Sequence, residues 1–182
     1  MAIRYWMFVH PLDRAREMVA GGFVQHPWGD EQPLNVMAEA DGVVLYCPRT
    51  ENPDGEPLRS VVQAGRVLSD APYRVGGRGK SPWRHDVQWL ADAQIAPIRP
   101  LRDMLELTRD SRFWGEQLRP GWVELSRRDF EICEDAVRRP TPGPSLFALQ
   151  AERAGLARPD ASTAPPPAWM DAPIDRPPTP GW

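Results

Sequence analysis

IRYWMFVHPLDRAREMVAGG, residues 3–22, is the stretch on which the fold turns. Ile3–Val9 is apolar and aromatic and predicts a buried strand, which His10-Pro11 stops. Leu12–Ala20 predicts a short helix, with Pro11 near its start and Gly21-Gly22 at its end. A doubly wound parallel sheet alternates its strands strictly with long helices, and this opening does not begin one.

The later segments keep the same scale. Gly42–Cys47 (GVVLYC) predicts a second strand closed by Pro48, and Arg49–Pro57, with Asp54-Gly55, a polar loop. Leu58–Leu68 predicts a third strand, in which Gly65 signals a bulge or a close backbone approach. Asp70–Ser81 is a long loop; His85–Leu90 and Gln94–Ile98 are further strands. Leu101, Met104, Leu105 and Thr108 fall at helical spacing within Pro100–Thr108. Trp122–Leu125 is a last strand. Ser126 then caps a helix running through Val137, with Asp129 as its capping-box partner and Phe130, Cys133 and Val137 facing inward. Five or six short strands interleaved with three or four short helices, without a repeat, predict an α+β fold. Its form is a small, mostly antiparallel β-barrel with short helices packed outside.

The 182 residues suit one such domain, and 41% apolar residues can build its core without disulfides or metal. Half of the 22 prolines lie from Pro140 onward, in stretches such as Ala164–Trp169 (APPPAW) and Asp175–Trp182 (DRPPTPGW). That density removes backbone donors and favours extended, solvated chain. The expected organisation is therefore a domain over 1–138 and a largely disordered tail over 139–182, with one short helix possible at Ser145–Ala157. Trp169 and Trp182 are the tail's candidates for docking.

Catalytic chemistry finds little to stand on. Cys47 and Cys133 are far apart and belong to no CxxC or His-rich group, which excludes a disulfide framework and a zinc site. His10, His26 and His85 are scattered and read as structural. Gly76–Lys80 (GGRGK) is the nearest thing to a phosphate loop, but the Walker spacing is absent. No serine sits in a nucleophile elbow. The expectation is no catalytic residue, no metal and no cofactor. No signal-peptide pattern opens the chain and no apolar run approaches the roughly 18 residues of a membrane span, so a cytoplasmic, non-membrane protein is expected, as a monomer. Net charge is −3, and all basic residues but Lys80 are arginine, whose planar fork suits phosphate and base edges.

Aromatic residues stand out instead. Trp28, Trp83 and Trp114 lie in polar, Gly/Pro-rich loops (HPWGD, KSPWRHD, RFWGEQ), where a large ring either plugs a barrel end or lines a pocket. A base stacked on such a ring gains ~1–3 kcal/mol.

The ordered segments YWMFV (Tyr5–Val9), VAGGFVQ (Val19–Gln25), PLNVM (Pro33–Met37), LYCP (Leu45–Pro48), GEPLRSVVQAGRV (Gly55–Val67), PYRV (Pro72–Val75), SPWRHDVQW (Ser81–Trp89), APIRPLRDMLELTRD (Ala96–Asp110), FWGEQLRPG (Phe113–Gly121) and Asp129-Phe130 together resemble bacterial stand-alone EVE-domain proteins. The resemblance spans residues 3–137. It implies a PUA-like barrel similar to YTH domains, and a non-catalytic reader of a modified base in DNA or RNA. The pocket it implies gathers Phe8 and His10, Phe23 and Gln25, Tyr46, and Tyr73 and Trp83. Their rings stack on the base and His10 and Gln25 read its edge, while Arg84 and Arg119 meet phosphate. Trp28-Gly29-Asp30 departs from the family's His-Gly-Lys turn and removes a cation there. The alternative is a protein that binds a free nucleoside or another small molecule, with no polymer partner.

Overall fold

Tyr5–Val9 (β1) lies inside the sheet with a neighbour on each side: Gly42–Arg49 (β3), parallel, and Trp122–Leu125 (β8), antiparallel. The structure, a computed structural model, describes residues 2–76, 81–110 and 113–139, all within one compact unit, Met1–Thr141. The proline-rich residues 140–182, with the possible helix, Trp169 and Trp182, lie outside the described residues, as do Gly77–Lys80 of the glycine-rich stretch.

Pro57–Val67 (β4) pairs antiparallel with β3 and then with Trp83–Trp89 (β6), which pairs with Phe23–Gln25 (β2). The path is β2-β6-β4-β3-β1-β8; Tyr73–Arg74 (β5) adds to β6 and Ala96–Pro97 (β7) to β4. This is a curled, mixed sheet, a half-barrel whose path stays open between β2 and β8 among the described residues. The α+β class agrees with the sequence expectation. The pairing is mostly antiparallel, as expected, with β1–β3 the one parallel pair among the described strands, and the expected barrel is only half formed.

Local chemistry explains most boundaries. The helix Leu12–Gly21 (α1) stops because Gly22 takes φ 66° and returns its N–H to the carbonyls of Met18 and Val19, a conformation only glycine adopts without strain. Gly65 marks a close approach: a Cβ there would sit 2.6 Å from the Gln88 carbonyl oxygen. Gly65 itself pairs with Val43, and the register shifts between β3 and β4 lie further along, at Leu45/Tyr46 and Cys47/Arg49, with the extra residues in β4. Gln32–Asn35 (α2) is a single turn. The predicted helix over Pro100–Thr108 divides into a 3-10 turn, Arg99–Leu101, and a short helix, Glu106–Arg109 (α3), because Leu105 between them is extended (φ −79°, ψ 128°).

Arg127–Arg138 (α4) covers one face of the sheet. Phe130, Cys133 and Val137, three and four residues apart, are fully buried against Met7, Val44, Val61 and Leu125. Ser126 Oγ accepts from the Asp129 N–H at 3.1 Å, as an N-cap. The Asp129 carboxylate does not complete the capping box. It accepts from the N–H groups of Glu106 (2.8 Å) and Leu107 (2.9 Å), and so caps α3 from the neighbouring helix. The other face is anchored by Trp6, whose Nε1 donates to the buried Asp41 at 3.0 Å; Asp41 also accepts from the N–H groups of Arg4 and Ala38.

Candidate functional site

β2 and β5 both pair with β6, and the registers decide which side chains meet. Gln25 lies opposite Arg84 and Phe23 opposite Asp86, while Tyr73 lies opposite Arg84 and Arg74 opposite Trp83. Side chains alternate along a strand and cross-strand partners share a face. Phe23, Gln25, Tyr73, Arg84 and Asp86 therefore share one face, and the contacts agree. The Arg84 guanidinium lies over the Phe23 ring, 3.7 Å from its centroid, and its Nε donates to Gln25 Oε1 at 3.1 Å. The Tyr73 hydroxyl donates to Asp86 Oδ1 at 3.0 Å. Burial and that hydrogen bond push the Tyr73 phenol up to about 12, so it stays protonated. Phe23 and Gln25 are buried, Arg84 is half-buried and Tyr73 is exposed.

His10 closes this cluster from the end of β1. Its Nε2 donates to the Gln25 carbonyl at 2.8 Å, and its own N–H to the Tyr46 carbonyl at 3.1 Å. Burial holds the imidazole at about 4, neutral at physiological pH. His26 and His85 are likewise engaged with carbonyls, of Pro120 at 2.8 Å and of Leu34 at 3.1 Å.

The expected cage is not assembled as a whole. Trp83 falls on the opposite face of β6 from Phe23 and Tyr73, beside His85, and its N–H donates to the Gly29 carbonyl. The alternation of β6 excludes a Phe23–Tyr73–Trp83 enclosure. Phe8 has no exposed surface; central in β1 between Leu45 and Trp122, it is core. Tyr46 shares its position across the parallel pair with Val9 and stands edge-on to Trp114, ring centroids 5.9 Å apart. It does not face Phe23.

Tyr46 belongs instead to a second place, a cavity of about 770 Å³ between the start of β4, the 3-10 turn Arg99–Leu101 and a second 3-10 turn, Trp114–Leu118. Arg119 lies at this cavity, exposed and bonded to Glu116 at 2.9 Å. Arg59, Arg99 and Arg102 complete its polar lining, and Val9, Leu58, Ile98 and Leu118 contribute apolar surface. The sequence reading singled out Trp114 as a possible pocket ring. It missed Arg59, Arg99 and Arg102, for which the only signal was the spacing Arg99-Pro100-Leu101-Arg102 around a proline.

Burial pushes the thiols of Cys47 and Cys133 each up to about 12, so neither is a thiolate near neutral pH. Among the described residues no three His, Cys, Asp or Glu side chains converge to hold a metal, and no helix is long and apolar enough to cross a membrane.

No family model matches the chain. It is 36% identical over 137 residues to a UPF0310 protein of Mycolicibacterium vanbaalenii, an alignment covering 75% of this chain and 94% of that one. It is 35% identical over 140 residues to a UPF0310 protein of Mesorhizobium japonicum, covering 75% and 93%. Among solved structures, a YTH domain-containing protein, mmi1, in complex with RNA matches with a TM-score of 0.50 at 8% identity, over 84% of this chain and 86% of that one. At that identity the likeness concerns the fold alone.

Proposed function

The chain belongs to the UPF0310 family, and from that premise we propose that it is a non-catalytic nucleic-acid-binding module, an EVE-type, PUA-like domain that recognises a modified base in DNA or RNA. The observation that carries the reading is the stack of Arg84 on Phe23. A planar, delocalised group lies 3.7 Å from the centre of an aromatic ring and is hydrogen-bonded at its edge by the Gln25 amide. A nucleobase on the same ring has the same needs: a π-face beneath it and a polar group in its plane. In the bound state the base takes the guanidinium's place on Phe23 and the freed Gln25 amide reads its edge. Arg84, swung to the rim beside Tyr73, meets phosphate. His10 acts one step back by holding the Gln25 backbone. Phe8 and Trp83 have no part in this site. Tyr46 and Arg119 belong to the cavity around Trp114.

The wider reading is supported by the fold likeness to a YTH domain solved with RNA. The setting we propose is a monomer in the cytoplasm.

The test is calorimetric titration of the full chain with a panel of modified and unmodified nucleosides, each also placed within a short oligonucleotide. One modified base should bind at least tenfold more tightly than its unmodified parent, and Phe23→Leu, which keeps an apolar side chain but removes the π-face, should abolish that preference. Nucleosides that bind while oligonucleotides do not would replace the reading with a small-molecule binder. Indifference of the whole panel to Phe23→Leu would remove the base site.

A further inference from the structure

We infer that the cavity of about 770 Å³ around Tyr46 and Trp114 is a second binding site, one that takes the phosphate groups of a nucleotide. Its charge is the first reason. Four arginines line it and no lining residue is acidic. Several other arginines pair with carboxylates, as in Arg4–Glu124, Arg14–Glu17, Arg127–Glu131 and Arg139–Asp135, and of the four at the cavity Arg119 pairs with Glu116. Arg59, Arg99 and Arg102 are exposed, and among the described residues none of them ion-pairs with a carboxylate. A chain of net charge −3 has acids to spare. The lining holds none of them, and with only Arg119 paired the potential inside the cavity is positive.

The second reason is the backbone of Arg59. Its φ is 48°, in the left-handed region that a side-chain-bearing residue rarely occupies. Ile98 N–H donates to its carbonyl at 3.0 Å and fixes it there, next to the register shift between β3 and β4. Strain of this kind collects where a side chain must be aimed, and here it is at the cavity's rim. The third reason is the apolar part of the lining. The edge-on pair of Tyr46 and Trp114, with Val9 and Leu118, offers surface to the uncharged part of a ligand, and the volume falls in the range of small-molecule sites. Guanidinium forks pair with phosphate two bonds at a time, which identifies phosphate as the matching anion. The cavity shares no lining residue with the Phe23–Gln25–Arg84 cluster.

That the phosphate belongs to a nucleic-acid strand, and not to a free nucleotide, rests on the function proposed above; the phosphate itself does not. The experiment titrates the full chain with inorganic phosphate, a nucleoside, its 5′-monophosphate and a single-stranded oligonucleotide, at several salt concentrations. Arg99→Gln combined with Arg102→Gln should weaken the monophosphate and the oligonucleotide tenfold or more and leave the nucleoside unaffected. The slope of log affinity against log salt for the oligonucleotide should flatten by roughly 0.7 per lost contact. Arg59→Gly should raise the melting temperature, by relieving the left-handed residue, and still weaken the same ligands.

Oligonucleotide binding with unchanged affinity and salt slope in the double variant would overturn the cavity while sparing the module's function. Binding of the monophosphate through Arg99 and Arg102 with no binding of any oligonucleotide would keep the cavity and remove the nucleic-acid function. A chain that binds neither phosphate, monophosphate nor oligonucleotide disposes of both.

Discussion

Acidification should loosen this protein through His10. The imidazole is 5% exposed, its Nε2 bound to the Gln25 carbonyl, and burial lowers its pKa from the ordinary 6.5 to about 4. His26 and Arg14 push it further down, while the Gln25 carbonyl and Asp13 pull only partly against them. A base whose folded pKa is depressed is neutral in the native state and protonated in the unfolded one between the two values. The unfolded state then binds more protons, so stability is complete above pH 6.5 and is lost as pH falls toward about 4. Each pKa unit is ~1.4 kcal/mol, which makes the full loss ~3 kcal/mol and the loss by pH 5 ~2 kcal/mol. The measurement is urea unfolding of the wild type and of His10→Gln from pH 7.5 to pH 5 at constant ionic strength. Carboxylates titrate in both proteins, as does His85, whose pKa burial also lowers. The quantity of interest is therefore the difference between the two curves. It should shrink by ~2 kcal/mol over that range, and the imidazole proton signals should titrate near 4. Parallel curves, or a His10 that titrates near 6.5, would refute the burial assigned to this ring. Ligand binding at the Phe23–Gln25 cluster by the folded protein should hold down to pH 5, because native His10 stays neutral until about pH 4.

Three further outcomes are expected. Asp129→Asn leaves one of the two N–H groups at the start of α3 facing an amide NH2 instead of a carboxylate oxygen; the loss should be ~2 kcal/mol by chemical denaturation, without change in the α4 helix signal. Trp83→Ala should change nucleoside affinity less than twofold, because its side chain lies on the far face of β6; a tenfold loss would place the base on that face. Cys47 and Cys133, buried and with thiols near 12, should resist a disulfide reagent at pH 8 in the native protein and both react once it is unfolded in urea.

The elements that were legible in the sequence are those whose cause is local. Ser126 begins α4 and Gly21-Gly22 ends α1 because capping and left-handed backbone are written in one or two residues. β8 was read to the residue, since Trp122–Leu125 is bounded by Gly121 and Ser126. β2 and β5 were not seen. Three and two residues long, they exist because β6 offers them hydrogen-bonding partners, a fact of tertiary structure. The same limit applied to the site. Resemblance placed Phe23, Gln25, Tyr73 and Arg84 in one region. Which face each occupies is set by the β2–β6 register, and a single alternation separates Trp83 from them. Arg59 is distant in sequence from Arg99, Arg102, Trp114 and Arg119, and only folding brings it to their cavity.

The pairing of β1 with β8 also governs how this chain is made. Tyr5 is opposite Leu125 and Trp6 opposite Glu124, so β1 leaves the ribosome well before its partner β8. At ~5–20 residues per second, the intervening chain takes several seconds or more to synthesise. Throughout that time YWMFV is an apolar strand lacking its β8 neighbour, the kind of edge that recruits wrong partners. A nascent chain halted anywhere before Trp122 keeps that edge open, and holdase chaperones should therefore engage the first strand until translation has passed β8.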